Sequence, residues 1–187
     1  MSKLKELTWA MHKSAEAQPF ARLLISGKIT PQLYLEYLHN QRLIYSYLEA
    51  SAANWLAETL HGVFRSEKIL FDIVQLEMMH QLSVQPHAIK PSTSEYINYV
   101  YKVSQMPLDQ QRAKLLPHLY VRHFGDMYGG AMIQKRIPGS GTMYDFDDKE
   151  FLIEALRGEL NDGMADEANI CFQYATRLFQ ELAPKDS

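Results

Sequence analysis

Apolar residues recur along this chain at steps of three and four, the period of amphipathic helices rather than strands. Leu4, Leu7 and Met11 stripe the first segment and predict a helix over about Lys3 to Ala17, interrupted by Pro19. A short helix follows, with Gly27 as its stop. Thr30-Pro31 is a start signal, Thr as N-cap and Pro at the first helical position. Leu35, Leu38, Arg42, Tyr45 and Leu48 then carry a long helix toward His61-Gly62, and another covers about Val63 to Leu82. Pro86 and Pro91 bound a loop, and Ser92-Thr93-Ser94-Glu95 reads as a capping box opening a helix that Pro107 ends. The next helix spans about Leu108 to Ile137, with Pro117 as a kink or break. After the loop Pro138-Gly139-Ser140-Gly141, two more helices cover about Asp147 to Asn161 and Ala165 to Leu182, split near Asp162-Gly163. The expectation is an all-α fold: a single compact bundle of about seven or eight helices, one domain over residues 1–187.

Composition narrows the function classes. The chain has 187 residues, a net charge of −3 and a pI near 6.2, which gives no global electrostatic case for nucleic acid or an anionic membrane. Cys171 is the single cysteine, so an intramolecular disulfide and a cysteine metal cluster are excluded. Within Ile170-Cys171-Phe172 it reads as a small core residue, and a reducing compartment fits. No segment approaches the roughly 18 continuous apolar residues of a membrane span. The opening MSKLKELTWAMHK has charges at helical intervals, unlike a signal peptide, and the closing Ala-Pro-Lys-Asp-Ser carries no anchor. These features point to the cytoplasm or an organelle stroma.

Two segments hold candidate chemistry. On the first helix, Lys5, Trp9, His12 and Glu16 share one face. An imidazole there can ligate iron through one nitrogen while a carboxylate one turn later fixes the ring by accepting from the other. The alternative is a solvated face with an ordinary His–Glu pair one turn apart. The second segment, Tyr120 to Lys135, looks helical yet holds Gly125, Gly129 and Gly130 within six residues. Each glycine costs about 1 kcal/mol relative to alanine in a helix, so about 3 kcal/mol has to be offset. Close approach of a flat ligand to the backbone would do so. The alternative is that Gly129-Gly130 ends one helix and begins another. Asp126, among the glycines, can hold ordered water near a bound ligand.

Together, Leu7-Thr8-Trp9-Ala10-Met11-His12-Lys13-Ser14-Ala15-Glu16 and Tyr120-Val121-Arg122-His123-Phe124-Gly125-Asp126-Met127-Tyr128-Gly129-Gly130 resemble the proximal and distal segments of the haem oxygenase family. Their order and separation, and the ending Thr176-Arg177-Leu178-Phe179-Gln180-Glu181-Leu182, are similar too. The resemblance implies a haem sandwiched between the first helix and a kinked, glycine-rich distal helix. His12 would be the iron ligand, Glu16 its partner, and Gly125, Gly129 and Gly130 the distal backbone. Asp126 would organise the distal water network. Lys5, Tyr120 and Arg157 would meet the propionates, and Phe172 would line the pocket. Haem would be substrate and cofactor at once, cleaved by O2 to biliverdin, carbon monoxide and ferrous iron with electrons from ferredoxin or an NADPH-dependent reductase. Three positions depart from the pattern. Tyr128 stands where the family usually has serine, Ile153 where a basic residue is expected (with Lys149 a turn earlier as substitute), and His123 where tyrosine is more usual, as a buried polar residue or a rim group.

Two other functions fit parts of the sequence. Glu36-x-x-His39 and Glu77-x-x-His80, with Glu16 and Glu154, have the spacing of a di-iron carboxylate oxidase. A non-catalytic haem carrier or sensor would share His12 without needing Asp126. The other histidines, His39, His61, His80, His87 and His118, read as surface or satisfied core groups, and Tyr34, Tyr37, Tyr45 and Tyr47 as helix packing. Lys3, Lys5, Arg122, Lys135, Arg136 and Arg157 read either as a basic patch for an acidic electron donor or as solvated faces.

Overall fold

A computed structural model describes residues 3–184, so the last residues of the closing Ala-Pro-Lys-Asp-Ser lie outside the described part. It contains eight α-helices among these residues: α1 (Leu4–Glu16), α2 (Pro19–Ser26), α3 (Pro31–Ala52), α4 (Ser66–His80), α5 (Pro91–Ser104), α6 (Leu108–Gln134), α7 (Lys149–Gly158) and α8 (Ala165–Leu182). Short 3-10 turns at Glu58–Val63, Thr142–Tyr144 and Asp162–Met164 link them. The described residues contain no strand.

Local signals set most boundaries. Gly27 ends α2 in the left-handed region at φ +74°, and an added Cβ would also meet the Arg136 carbonyl at 3.0 Å. The Thr30 hydroxyl accepts from the Leu33 amide at 3.3 Å and caps α3 ahead of Pro31. The core runs through α3, whose Tyr34, Leu35, Leu38, Ile44, Leu48 and Ala52 are buried against α4, α5 and α6. Helices α1 and α6 both pack on α8.

Three expectations change. The long helix ends at Ala52, ten residues before Gly62, because the Asn54 side chain donates to the Ala50 and Ser51 carbonyls and turns the chain. The next helix starts only at Ser66, where the Glu49 carboxylate of α3 accepts from the Arg65 and Ser66 amides and satisfies the helix end. Ser92 is not an N-cap: α5 starts at Pro91, and the Ser92 amide and hydroxyl both donate to Glu181 of α8. Glu95 meanwhile pairs with Arg177. Helix α6 runs unbroken through Pro117 and through all three central glycines. Burial of Leu115, Leu116 and Leu119 offsets the roughly 3 kcal/mol penalty of an interior proline.

Candidate active site

The His12 imidazole is held from three sides. Trp9 stacks on it with ring centroids 5.5 Å apart, and Phe172 of α8 meets it edge-on at 5.6 Å. Its Nε2 lies 3.4 Å from Glu16 Oε1, while Lys13 Nζ holds Glu16 Oε2 at 2.8 Å. The other nitrogen, Nδ1, is shielded and has no hydrogen-bond partner. One nitrogen faces a carboxylate and one is uncommitted, which is the donor arrangement a metal-ligating histidine needs. Lys5 is exposed, its ammonium 5.9 Å from the Trp9 ring centroid.

The side-chain-poor stretch of α6 divides into two parts. A Cβ added to Gly125 or Gly129 would meet nothing within 4 Å, so these two glycines face open space. A Cβ on Gly130 would lie 2.6 Å from the Tyr144 ring. Gly130 is therefore explained by packing against Tyr144, which corrects its expected place on a ligand-facing surface. Thr8 of α1 is near enough to act on the Tyr120 phenol of α6, while its hydroxyl donates to the Leu4 carbonyl at 2.8 Å. From there Tyr120, Phe124 and Tyr128 form a ladder of edge-on rings with centroids 5.2 and 6.0 Å apart. Tyr128 is turned outward, and its hydroxyl accepts from Arg157. Arg157, Ile153 and Lys149 line one open depression of about 470 Å³ beside it, so Lys149 does share the face with Arg157.

Asp126 sits between the open glycines with its Oδ2 accepting from the Tyr45 hydroxyl at 2.5 Å. Burial pushes its carboxyl up to about 6, against the opposing effects of that hydrogen bond and of His123, Arg122 and Arg65. The same burial holds the neighbouring phenols of Tyr34, Tyr45 and Tyr144 well above their ordinary range, so they stay neutral. Sequence reasoning assigned Tyr45 to packing and overlooked Glu49, Arg65 and Thr8. The one available signal was Glu49, a carboxylate within the otherwise apolar or small-residue stretch Tyr47 to Ala53.

Two other expectations fall. Arg122 is buried, its guanidinium 4.5 Å over the Tyr96 ring, and cannot belong to a surface patch. The di-iron residues are scattered: Glu36 pairs with Lys90, His39 lies 3.5 Å from Glu77, and Glu154 and His80 are exposed. Among the described residues, no group of three or more His, Cys, Asp or Glu side chains is placed to hold a metal ion.

A heme oxygenase family model matches residues 1–181 of the chain. The chain belongs to the haem oxygenase family. The heme oxygenase of Guillardia theta is 28% identical over 96% of this chain and 84% of its own length. That of Rhodella violacea is 25% identical over 96% and 85%. The solved structure of heme oxygenase from Leptospira interrogans superposes with a TM-score of 0.78 at 23% identity, covering 97% of this chain and all of that one. Heme oxygenase-1 from Synechocystis sp. PCC 6803, solved in complex with heme, gives 0.77 at 20% identity over 96% and 90%. This haem oxygenase relative has a donor set that fits the group: an uncommitted imidazole nitrogen on α1 and two glycines on α6 whose missing side chains leave room beside the backbone. Among the described residues, no helix is long and apolar enough to cross a membrane.

Proposed function

We propose that this haem oxygenase family member binds haem between His12 and the open glycines of α6 and cleaves it to biliverdin, carbon monoxide and ferrous iron. The observation that carries the reading is the division among the glycines. Gly125 and Gly129 face space, and that space lies on the helix that also carries a half-buried carboxyl pushed up to about 6. Bound haem supplies the redox iron and is itself the ring that is opened.

The chain's own side chains supply the rest. His12 offers an imidazole nitrogen, and Glu16 fixes the ring's orientation. Phe172 packs edge-on against that ring and restrains it. Asp126, restrained by Tyr45, holds or releases a proton near neutral pH and orders water beside the glycines. Lys5 and Arg157 are exposed cations suited to the carboxylates of the ligand's edge, and the half-buried Tyr120 adds a hydroxyl donor. Oxygen and electrons from ferredoxin or an NADPH-dependent reductase complete the reaction. The exposed Lys135, Arg136 and Arg157 favour an acidic donor.

The test is to add haem to the purified protein, supply electrons from a reductase system, follow the Soret band and identify the tetrapyrrole. Loss of the band with biliverdin formed supports the enzyme. A band that persists under reduction and oxygen marks a carrier.

A further inference from the structure

His123 is fully buried, and the two nitrogens of its ring both meet acceptors. Nδ1 lies 3.3 Å from the Leu119 carbonyl, one turn back on α6. A carbonyl only accepts, so Nδ1 carries a hydrogen. Nε2 lies 3.2 Å from Glu49 Oε1. Glu49 is itself buried and takes the Arg65 amide at 2.5 Å and the Ser66 amide at 3.0 Å. Burial pushes the Glu49 carboxyl up, but hydrogen bonds from His123, Ser66 and Arg65 outweigh it and hold the group below the usual carboxylate range. Both Glu49 oxygens already accept backbone amides, so its carboxylate faces Nε2 as an acceptor.

This pair adjoins the distal carboxyl. The Tyr45 ring lies against His123 with centroids 4.9 Å apart, and its hydroxyl donates to Asp126. We propose that His123 is a positioning residue: a buried imidazolium, paired with Glu49 and set against Tyr45, that holds Asp126 in its ionised, water-ordering form. The proposal rests on the reading of Asp126 given under Proposed function. It gives the histidine that departs from the family's tyrosine a role no phenol can fill, because a phenol in this setting carries no positive charge.

The charged and titratable groups facing the pair are few. Helix α3 contributes Glu49, Tyr45 and Tyr37, the residues before α4 contribute Arg65, the turn after α6 contributes Tyr144, and α6 itself contributes Arg122 and Asp126. The Arg65 guanidinium is engaged by the Asp145 and Gly62 carbonyls, so its positive charge stays in place when His123 changes. The phenols are neutral. His123 is therefore the cation in this group whose charge depends on a single replaceable partner, Glu49.

The experiment is NMR on the full-length, haem-free protein. Nitrogen shifts report the protonation of His123, and carboxyl carbon shifts follow the titration of Asp126. In the wild type both His123 nitrogens are expected to be protonated at pH 7, with an Asp126 midpoint near 6. In His123→Gln the midpoint moves upward, by less than the roughly 1–3 units a contacting charge produces. In Glu49→Gln the ring loses the Nε2 hydrogen and the Asp126 midpoint again rises. The acid limb of ring opening moves with the midpoint in both variants. A neutral His123 ring in the wild type overturns the proposal, as does an Asp126 midpoint that stays put in the variants. These readings need no haem, so a wild type that titrates as stated yet leaves haem intact counts against the enzymatic reading alone.

Discussion

A carboxyl whose proton leaves near pH 6 has consequences for folding as well as for chemistry. Asp126 titrates at about 6 in the fold against an ordinary 3.8, so between those values the folded chain binds the proton more tightly than the unfolded one. Stability falls as pH rises through that window, and the penalty is complete above it. Asp126→Asn removes the penalty. It should stabilise the haem-free protein at pH 8 by up to about 3 kcal/mol and by nothing at pH 3, read from urea unfolding. Asp126→Ala should bind haem but divert it from biliverdin, as product analysis would show; normal ring opening would refute the distal role. At His12, substitution by alanine should abolish the imidazole-ligated spectrum, while Glu16→Gln should weaken haem binding by roughly tenfold. His12, Trp9 and Glu16 were legible because helical spacing alone puts them on one face. Tyr45 was not, since it shares its core-facing stripe with Tyr34 and Tyr37 and only the approach of α3 to α6 singles it out.

The three glycines of α6 behave differently as members of one element. Gly130→Ala drives a methyl group into the Tyr144 ring and should destabilise the fold by about 1–3 kcal/mol. Gly125→Ala and Gly129→Ala each remove a glycine from a helix interior with room to spare. Each should stabilise the haem-free protein by up to about 1 kcal/mol while weakening haem binding. Paired denaturation and haem titrations of the three variants check the division. A loss of stability at Gly125 or Gly129 would mean that these positions, too, serve packing. The sequence showed that this helix carries an uncompensated penalty but could not apportion it, because the neighbour that explains Gly130 arrives from the turn Thr142–Tyr144. The end of α3 and the role of Ser92 were hidden for a related reason: Asn54 competes locally for helix carbonyls, and Glu181 is 89 residues from Ser92. Proline and glycine stops such as Gly27 and Thr30-Pro31 were readable because their effect is local.

In the whole molecule, α8 packs on both α1 and α6, meeting His12 through Phe172 and α6 through Glu167 beside Lys114 and His118. Glu167 anchors it, receiving Lys114 Nζ at 2.5 Å and the Tyr99 hydroxyl. Burial alone would raise this carboxyl, but His118, Lys114 and Tyr99 outweigh it and bring it down to about 2 from 4.5. A depressed acid contributes stability that is complete above 4.5 and lost as pH falls toward 2. Glu167→Gln should therefore destabilise the protein at neutral pH by on the order of 2 kcal/mol, allowing for screening at the exposed end of Lys114, and the difference should vanish in strong acid. Acid unfolding curves of the two proteins measure it. The all-helical architecture followed from periodicity, whereas the placing of α1 beside α6 depends on long-range burial around α8. That juxtaposition is the claim on which the function rests, and the crystal structure of the haem complex tests it most directly. The account predicts iron bound to a His12 nitrogen, with the opposite face of the ring against Gly125 and Gly129. Iron held by another histidine, or a ring seated away from those glycines, would contradict it.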